Sequence, residues 1–193
     1  MYDIIFHCHI YTYNSYRDQP KGTGFSKYPF PSSNSTYTGA VDLYTFLQSF
    51  FKTFPQYTNH ELAINSLSYG GHYAPVYAGY IMHRNAILSG QKSLYGDIWD
   101  TVGGAERDEI QFNLRSISIG NGWFGTPAQI RSLIGFACGE AKGEDVPMLL
   151  SEDECKWSWD EWDKCEKLLD SCEDRARLEY EWYLCFLFIR ITS

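Results

Sequence analysis

The feature that most constrains this chain is a short apolar run that breaks into small residues around one serine. Leu62-Ala63-Ile64-Asn65 reads as a buried strand and leads into Ser66-Leu67-Ser68-Tyr69-Gly70-Gly71. A helical pattern follows through Val76, Tyr80 and Ile81 to His83. A serine raised on a tight strand-to-helix turn needs small neighbours two positions before and after it, and Ser66 and Gly70 stand there. Such a turn exposes the Ser68 hydroxyl and aims the next backbone N–H, that of Tyr69, at the place where an oxyanion would form. The helix N-terminus adds a field that favours developing negative charge. Ser68 is therefore the candidate nucleophile and Tyr69 the candidate oxyanion donor. The bland alternative is a serine that caps the helix.

The surrounding pattern alternates. Val41, Tyr44, Leu47, Phe51 and Phe54 recur at helical spacing before Pro55 stops them. A further strand is expected over Leu114 to Ile119, closed by Gly120-Asn121-Gly122, and a helix over Ser151 to Cys172 with acids in its first turn. Strands alternating with helices predict an α/β layer fold. Asp18 to Ser26, dense in Pro and Gly, reads as a loop, and the Pro/Ser/Asn-rich stretch after it carries Asn34-Ser35-Thr36, a glycosylation sequon.

Charge and cysteines narrow the function classes. A net charge of -8 without a basic cluster argues against nucleic acid as a partner. The acids between Glu152 and Asp174 read as a solvated helix face, and the Trp157, Trp159 and Trp162 group as helix packing. Six cysteines, none in a Cys-x-x-Cys pair or with histidines at zinc spacing, favour disulfides over metal, and no cofactor is expected. The apolar stretch Trp182 to Ile191 is too short to span a bilayer, so no membrane span is expected. Met1 to Ile10 lacks the pattern of a signal peptide, which together with the cysteines predicts that the natural N-terminus lies upstream.

Four segments in order carry a family resemblance. Ser68-Tyr69-Gly70-Gly71-His72-Tyr73-Ala74-Pro75 resembles the nucleophile motif of the serine carboxypeptidases, the carboxypeptidase Y family. Asp18-Gln19-Pro20-Lys21-Gly22-Thr23-Gly24-Phe25-Ser26, Asp42 to Leu47 with Phe54 to Tyr57, and Ile119 to Trp123 are similar to its segments before and after that motif. The resemblance implies an α/β-hydrolase fold, here a partial central sheet with a disulfide-rich helical insertion over the site. Residues 1–135 would form the partial core and residues 136–193 the insertion and a divergent tail. It further implies a peptidase that releases C-terminal residues from peptides with a free C-terminus, through an acyl-enzyme on Ser68, in a vacuole or outside the cell. The same resemblance implies disulfides joining Cys138 with Cys155 and Cys172 with Cys185. It leaves Cys165 without its usual partner and gives Cys8 none.

The sequence also departs from that pattern. A serine nucleophile needs a histidine base oriented by a carboxylate. The order in this fold is Ser, Asp, His, yet no histidine follows His83. His72, one turn beyond Ser68, reads as structural. The Gly-Gly-Pro-Gly segment that supplies the family's second oxyanion donor is absent before Asp18, and Leu67 stands where the family has Glu. The expectation is an incomplete copy, nearly inert alone. A short non-catalytic paralogue and an esterase of the same fold are the alternatives.

Overall fold

The computed structural model describes residues 3–6, 15–26, 35–92, 99, 108–140 and 147–170. Asn34, Cys8, Cys172 and Cys185 lie outside the described residues. The chain divides into two compact units, residues 1–124 and 125–193.

In the first unit four strands form one sheet: β1 (Asp3–Phe6), β2 (Ser15–Asp18), β3 (Leu62–Leu67) and β4 (Leu114–Gly120), in the order β2-β1-β3-β4. Strand β1 runs antiparallel to both β2 and β3, whereas β3 and β4 are parallel. The β3–helix–β4 crossover is the α/β unit read from the sequence. The β1–β2 pair has no signal in the sequence, because neither four-residue stretch is long enough to show a strand period.

Helix α1 (Thr36–Thr53) starts at a reciprocal cap. The Ser35 Oγ accepts the Thr38 N–H at 3.2 Å, and the Thr38 Oγ1 accepts the Ser35 N–H at 3.2 Å. The helix stops just before Pro55, as expected of a residue that disfavours helix before it. Its buried stripe is Ala40, Leu43, Tyr44, Leu47 and Gln48. This stripe is rotated from the one that the helical spacing of Val41, Tyr44, Leu47, Phe51 and Phe54 marks in the sequence. Val41 and Phe51 are only partly buried, and Phe54 is exposed. Small residues explain the rotation: a Cβ at Gly39 would come within 2.8 Å of the Tyr77 Oη, so Gly39 and Ala40 let α1 close on the next helix.

That helix, α2 (Gly70–Leu88), buries Ala74, Tyr77, Ala78, Tyr80 and Ile81 against α1 and β3. Leu62 and Ile64 of β3 complete the core, and Tyr44 meets Tyr80 and Phe112 edge-on at centroid distances of 5.3 Å. The segment entering β4 is fastened by side-chain amides that mimic strand pairing. Gln48 bonds the backbone N–H and C=O of Ile110 at 2.8 and 2.7 Å, and Asn85 bonds those of Phe112 at 3.0 and 2.6 Å. Beside them Arg84 and Glu109 form a buried ion pair, to which the Tyr44 hydroxyl donates at 2.8 Å.

The second unit holds α3 (Thr126–Ala137) and α4 (Glu152–Asp170). A disulfide joins Cys138 to Cys155, the pairing that the resemblance implies. Cys165 is disulfide-bonded as well, which corrects the expectation that it is left without a partner. Trp162 is buried and the Trp159 Nε1–H donates to Glu140 at 2.9 Å, whereas Trp157 is exposed. The tryptophan group thus packs only in part. Glu152, Asp153 and Glu154 are exposed at the start of α4. Among the described residues no helix is long and apolar enough to cross a membrane.

Candidate active site

Ser68 sits between the last residue of β3 and the first turn of α2, with φ at 57°. This is the left-handed region, which costs a residue bearing a Cβ about 1–2 kcal/mol. The surroundings hold the backbone there. The Ser68 N–H donates to the Gly120 C=O at 2.9 Å, and the Ser68 C=O accepts the N–H groups of Gly71 at 3.0 Å and Trp123 at 2.8 Å. Both peptide groups of this one residue are thus pinned, by the end of β4, by the residues after it and by its own helix.

The neighbours must be small for steric reasons. A Cβ at Gly70 would collide with the Cβ and Oγ of Ser66, and one at Gly71 would collide with the backbone of Trp123. The Ser66 hydroxyl donates to the Gly70 C=O at 3.1 Å and braces the turn from inside. Ser68 itself is exposed. Asn121, with φ at 44°, makes a second left-handed turn at the end of β4.

Tyr69 is the N-cap residue of α2, and its ring packs against His72 at 4.8 Å and Tyr73 at 5.0 Å. Tyr73 stacks in turn on Tyr77 at 5.7 Å. This i, i+4 ladder runs from the turn into the core. At its foot burial raises the Tyr77 phenol above its ordinary value, helped by the charges of Tyr73 and Asp42. Among the described residues no histidine bonds the Ser68 hydroxyl, and His72 is half-buried against Tyr69.

Strand register brings a further loop to the same edge. Asp3 pairs with Asp18 and Ile5 with Asn65, so Asp18 and Leu67 stand at one height on either side of β1. The loop after β2 therefore leaves the sheet where Ser68 does. Ligands of open α/β sheets bind at this carboxyl edge. The Asp18 Oδ2 accepts the Phe25 N–H at 2.7 Å, and Gly24, at φ 51°, has no room for a Cβ against that carboxylate. Lys21 ties the loop to α1 through Asp42 at 3.0 Å. The Arg17 guanidinium lies 3.0 Å from the Phe46 ring centroid, and burial pushes its pKa down to about 10. Pro and Gly density reveals the loop in the sequence; its height beside Ser68 depends on strand register, which no local pattern encodes.

Among the described residues no group of His, Cys, Asp and Glu is arranged to hold a metal. Fold and turn together define an α/β protein that raises one serine at the carboxyl edge of its sheet. Residues 16–183 match the sequence profile of the family described as serine carboxypeptidase. The chain is 36% identical to "Carboxypeptidase Y" of Komagataella phaffii over 159 residues, covering 82% of this chain and 25% of that protein. It is 34% identical to "Carboxypeptidase Y" of Candida albicans, covering 80% and 24%, and 33% identical to that of Saccharomyces cerevisiae, covering 85% and 27%. The chain belongs to the serine carboxypeptidase family. It spans about a quarter of the length of these curated relatives.

Proposed function

We propose that this chain carries the nucleophile of a serine carboxypeptidase, with Ser68 as the attacking residue and the Tyr69 backbone N–H as one oxyanion donor. The observation that carries the reading is the left-handed backbone of Ser68 at the β3–α2 junction, held by Gly120, Gly71 and Trp123. Strain of this kind persists only where surrounding structure enforces it, and it concentrates at functional sites. In this reading the sheet and its helices are part of an α/β-hydrolase core, with the disulfide-bonded helices as its insertion. Peptides are the substrates, and a vacuole or the cell exterior is the place of action.

Attack by the Ser68 Oγ on the last peptide carbonyl would release the C-terminal residue and leave an acyl-enzyme, which water then hydrolyses. With no histidine after His83 in these 193 residues, we expect them to react slowly by themselves. An alkyl fluorophosphonate at high concentration tests the reading. The expected result is a slow adduct that peptide mass spectrometry places on Ser68 and that Ser68→Ala removes. An adduct on another serine would overturn it, and no adduct after prolonged exposure would favour the non-catalytic alternative.

A further inference from the structure

Behind the nucleophile turn, one hydroxyl and two peptide groups follow one another in a line of hydrogen bonds. Ser66 is half-buried near the end of β3, and its Oγ lies 3.1 Å from the Gly70 carbonyl oxygen. A carbonyl can only accept, so the hydroxyl is the donor. The same peptide group carries the Gly71 N–H, which donates to the Ser68 C=O at 3.0 Å. That carbonyl in turn shares its peptide plane with the Tyr69 N–H, the oxyanion donor of the proposed function. The order is Ser66 hydroxyl, Gly70–Gly71 peptide, Ser68–Tyr69 peptide, reacting oxygen. The Trp123 N–H also donates to the Ser68 C=O, at 2.8 Å from the segment after β4, and helps to fix the same plane.

Such a line acts in two ways. A peptide group is planar and stiff, so a bond at one end sets where the other end points. Ser66 and Ser68 hold the Gly70–Gly71 peptide at its two ends, and that peptide in turn holds the carbonyl whose plane carries the Tyr69 N–H. Hydrogen bonds in a chain also polarise one another, because a donor on an amide carbonyl makes the N–H of that amide a better donor. Both bonds here point the same way, so each adds positive charge towards the Tyr69 hydrogen. Close approach makes this possible: Gly70 has no Cβ, and one there would collide with the Ser66 Cβ and Oγ.

From this geometry we infer that Ser66 is a positioning residue, whose hydroxyl aims and strengthens the oxyanion donor without touching the substrate. The inference rests on Ser68 being the nucleophile and the Tyr69 N–H its donor. As the Ser68 Oγ bonds the substrate carbon, negative charge gathers on the oxygen that the Tyr69 N–H faces, and a better donor lowers the barrier there. One such donor is worth about a hundred- to a thousandfold in rate, and a line of bonds strengthens it by roughly a tenth to three-tenths. The Ser66 hydroxyl therefore contributes roughly two- to eightfold.

Two small alkyl fluorophosphonates test this on the intact chain, one with a P=O group and one with P=S in its place. Sulfur is a weak acceptor, so the ratio of the two Ser68 labelling rates reports the oxyanion donor. Ser66→Ala keeps the Cβ, removes the hydroxyl and should lower the P=O to P=S ratio roughly two- to eightfold. Ser66→Cys fills the same space with a weak donor and should lower the ratio in the same direction. Urea unfolding checks that each variant is folded. A brace that only supports the turn would slow both probes alike, so an unchanged ratio in the folded variants would overturn the inference and leave the reading of Ser68 intact. Failure of the P=O probe to label Ser68 in the unaltered chain would remove that reading, and this inference with it.

Discussion

Ser68 carries a Cβ through a backbone conformation that suits glycine, and the cost can be measured. At φ 57° the left-handed region disfavours any L side chain by about 1–2 kcal/mol. Ser68→Ala keeps the Cβ and so keeps the strain. Ser68→Gly removes it, but frees the unfolded chain by about 0.4–1 kcal/mol in the opposite direction. The strain is the larger effect, so Ser68→Gly should unfold at higher urea than Ser68→Ala, by about 0.5–1 kcal/mol. A glycine variant no more stable than the alanine one would mean that the turn is relaxed. The requirement for small neighbours is legible in Ser66, Gly70 and Gly71, because sterics act over a few residues. Leu67 is different. Leucine is ordinarily a core residue, yet at the end of β3 its side chain is exposed and lies against Gly120.

At the scale of elements, both caps follow one rule. Helix α4 opens with Ser151 and Glu154 in a reciprocal box: the Glu154 Oε2 accepts the Ser151 N–H at 2.8 Å and its hydroxyl at 2.7 Å. The Glu154 N–H donates back to the Ser151 Oγ at 3.3 Å. The bonds from the Ser151 side chain and backbone lower the Glu154 pKa in the fold. A lowered carboxyl favours folding above its unfolded pKa, and that contribution is lost as pH falls through the folded one. The Ser151 amide should therefore exchange faster, after correction for intrinsic rates, as pH drops below the ordinary glutamate range. Glu154→Gln should flatten that dependence; an unchanged profile in the variant would assign it to another acid. Helices α1 and α4 are legible because a 3.6-residue apolar period shows over 18 and 19 residues; α2 shows only a few such spacings, and the 12-residue α3 is not expected from the sequence. Strands β1 and β2, of four residues each, show no such period. The rotated face of α1 was hidden because three- and four-residue spacings fit two neighbouring stripes. Packing at Gly39 chooses between them.

For the molecule as a whole, the Ser68 turn depends on β4 arriving at the correct height, and that is decided far from the turn. The Arg84–Glu109 pair joins α2 to the segment entering β4, and the Tyr44 hydroxyl brings α1 into the same cluster. The two side chains are 3% and 5% exposed, so neither charge can be returned to water when the other is removed. Burial and the hydrogen bond to Glu109 raise the Tyr44 phenol, which keeps it a donor to that carboxylate. Glu109→Ala should cost about 3–5 kcal/mol, the usual loss when one partner of a buried pair is deleted. Replacing both with apolar residues, Arg84→Met with Glu109→Leu, should recover much of that loss, because no orphaned charge remains. Urea unfolding of the two variants separates the cases. If the double variant is as unstable as the single one, the cluster acts through its hydrogen-bond geometry. If it recovers while the Ser68 adduct with the fluorophosphonate is still lost, stability and the placement of the turn are separable: the amides of Gln48 and Asn85 hold the segment in the fold, and the ion pair sets the height at which β4 delivers Gly120 to Ser68.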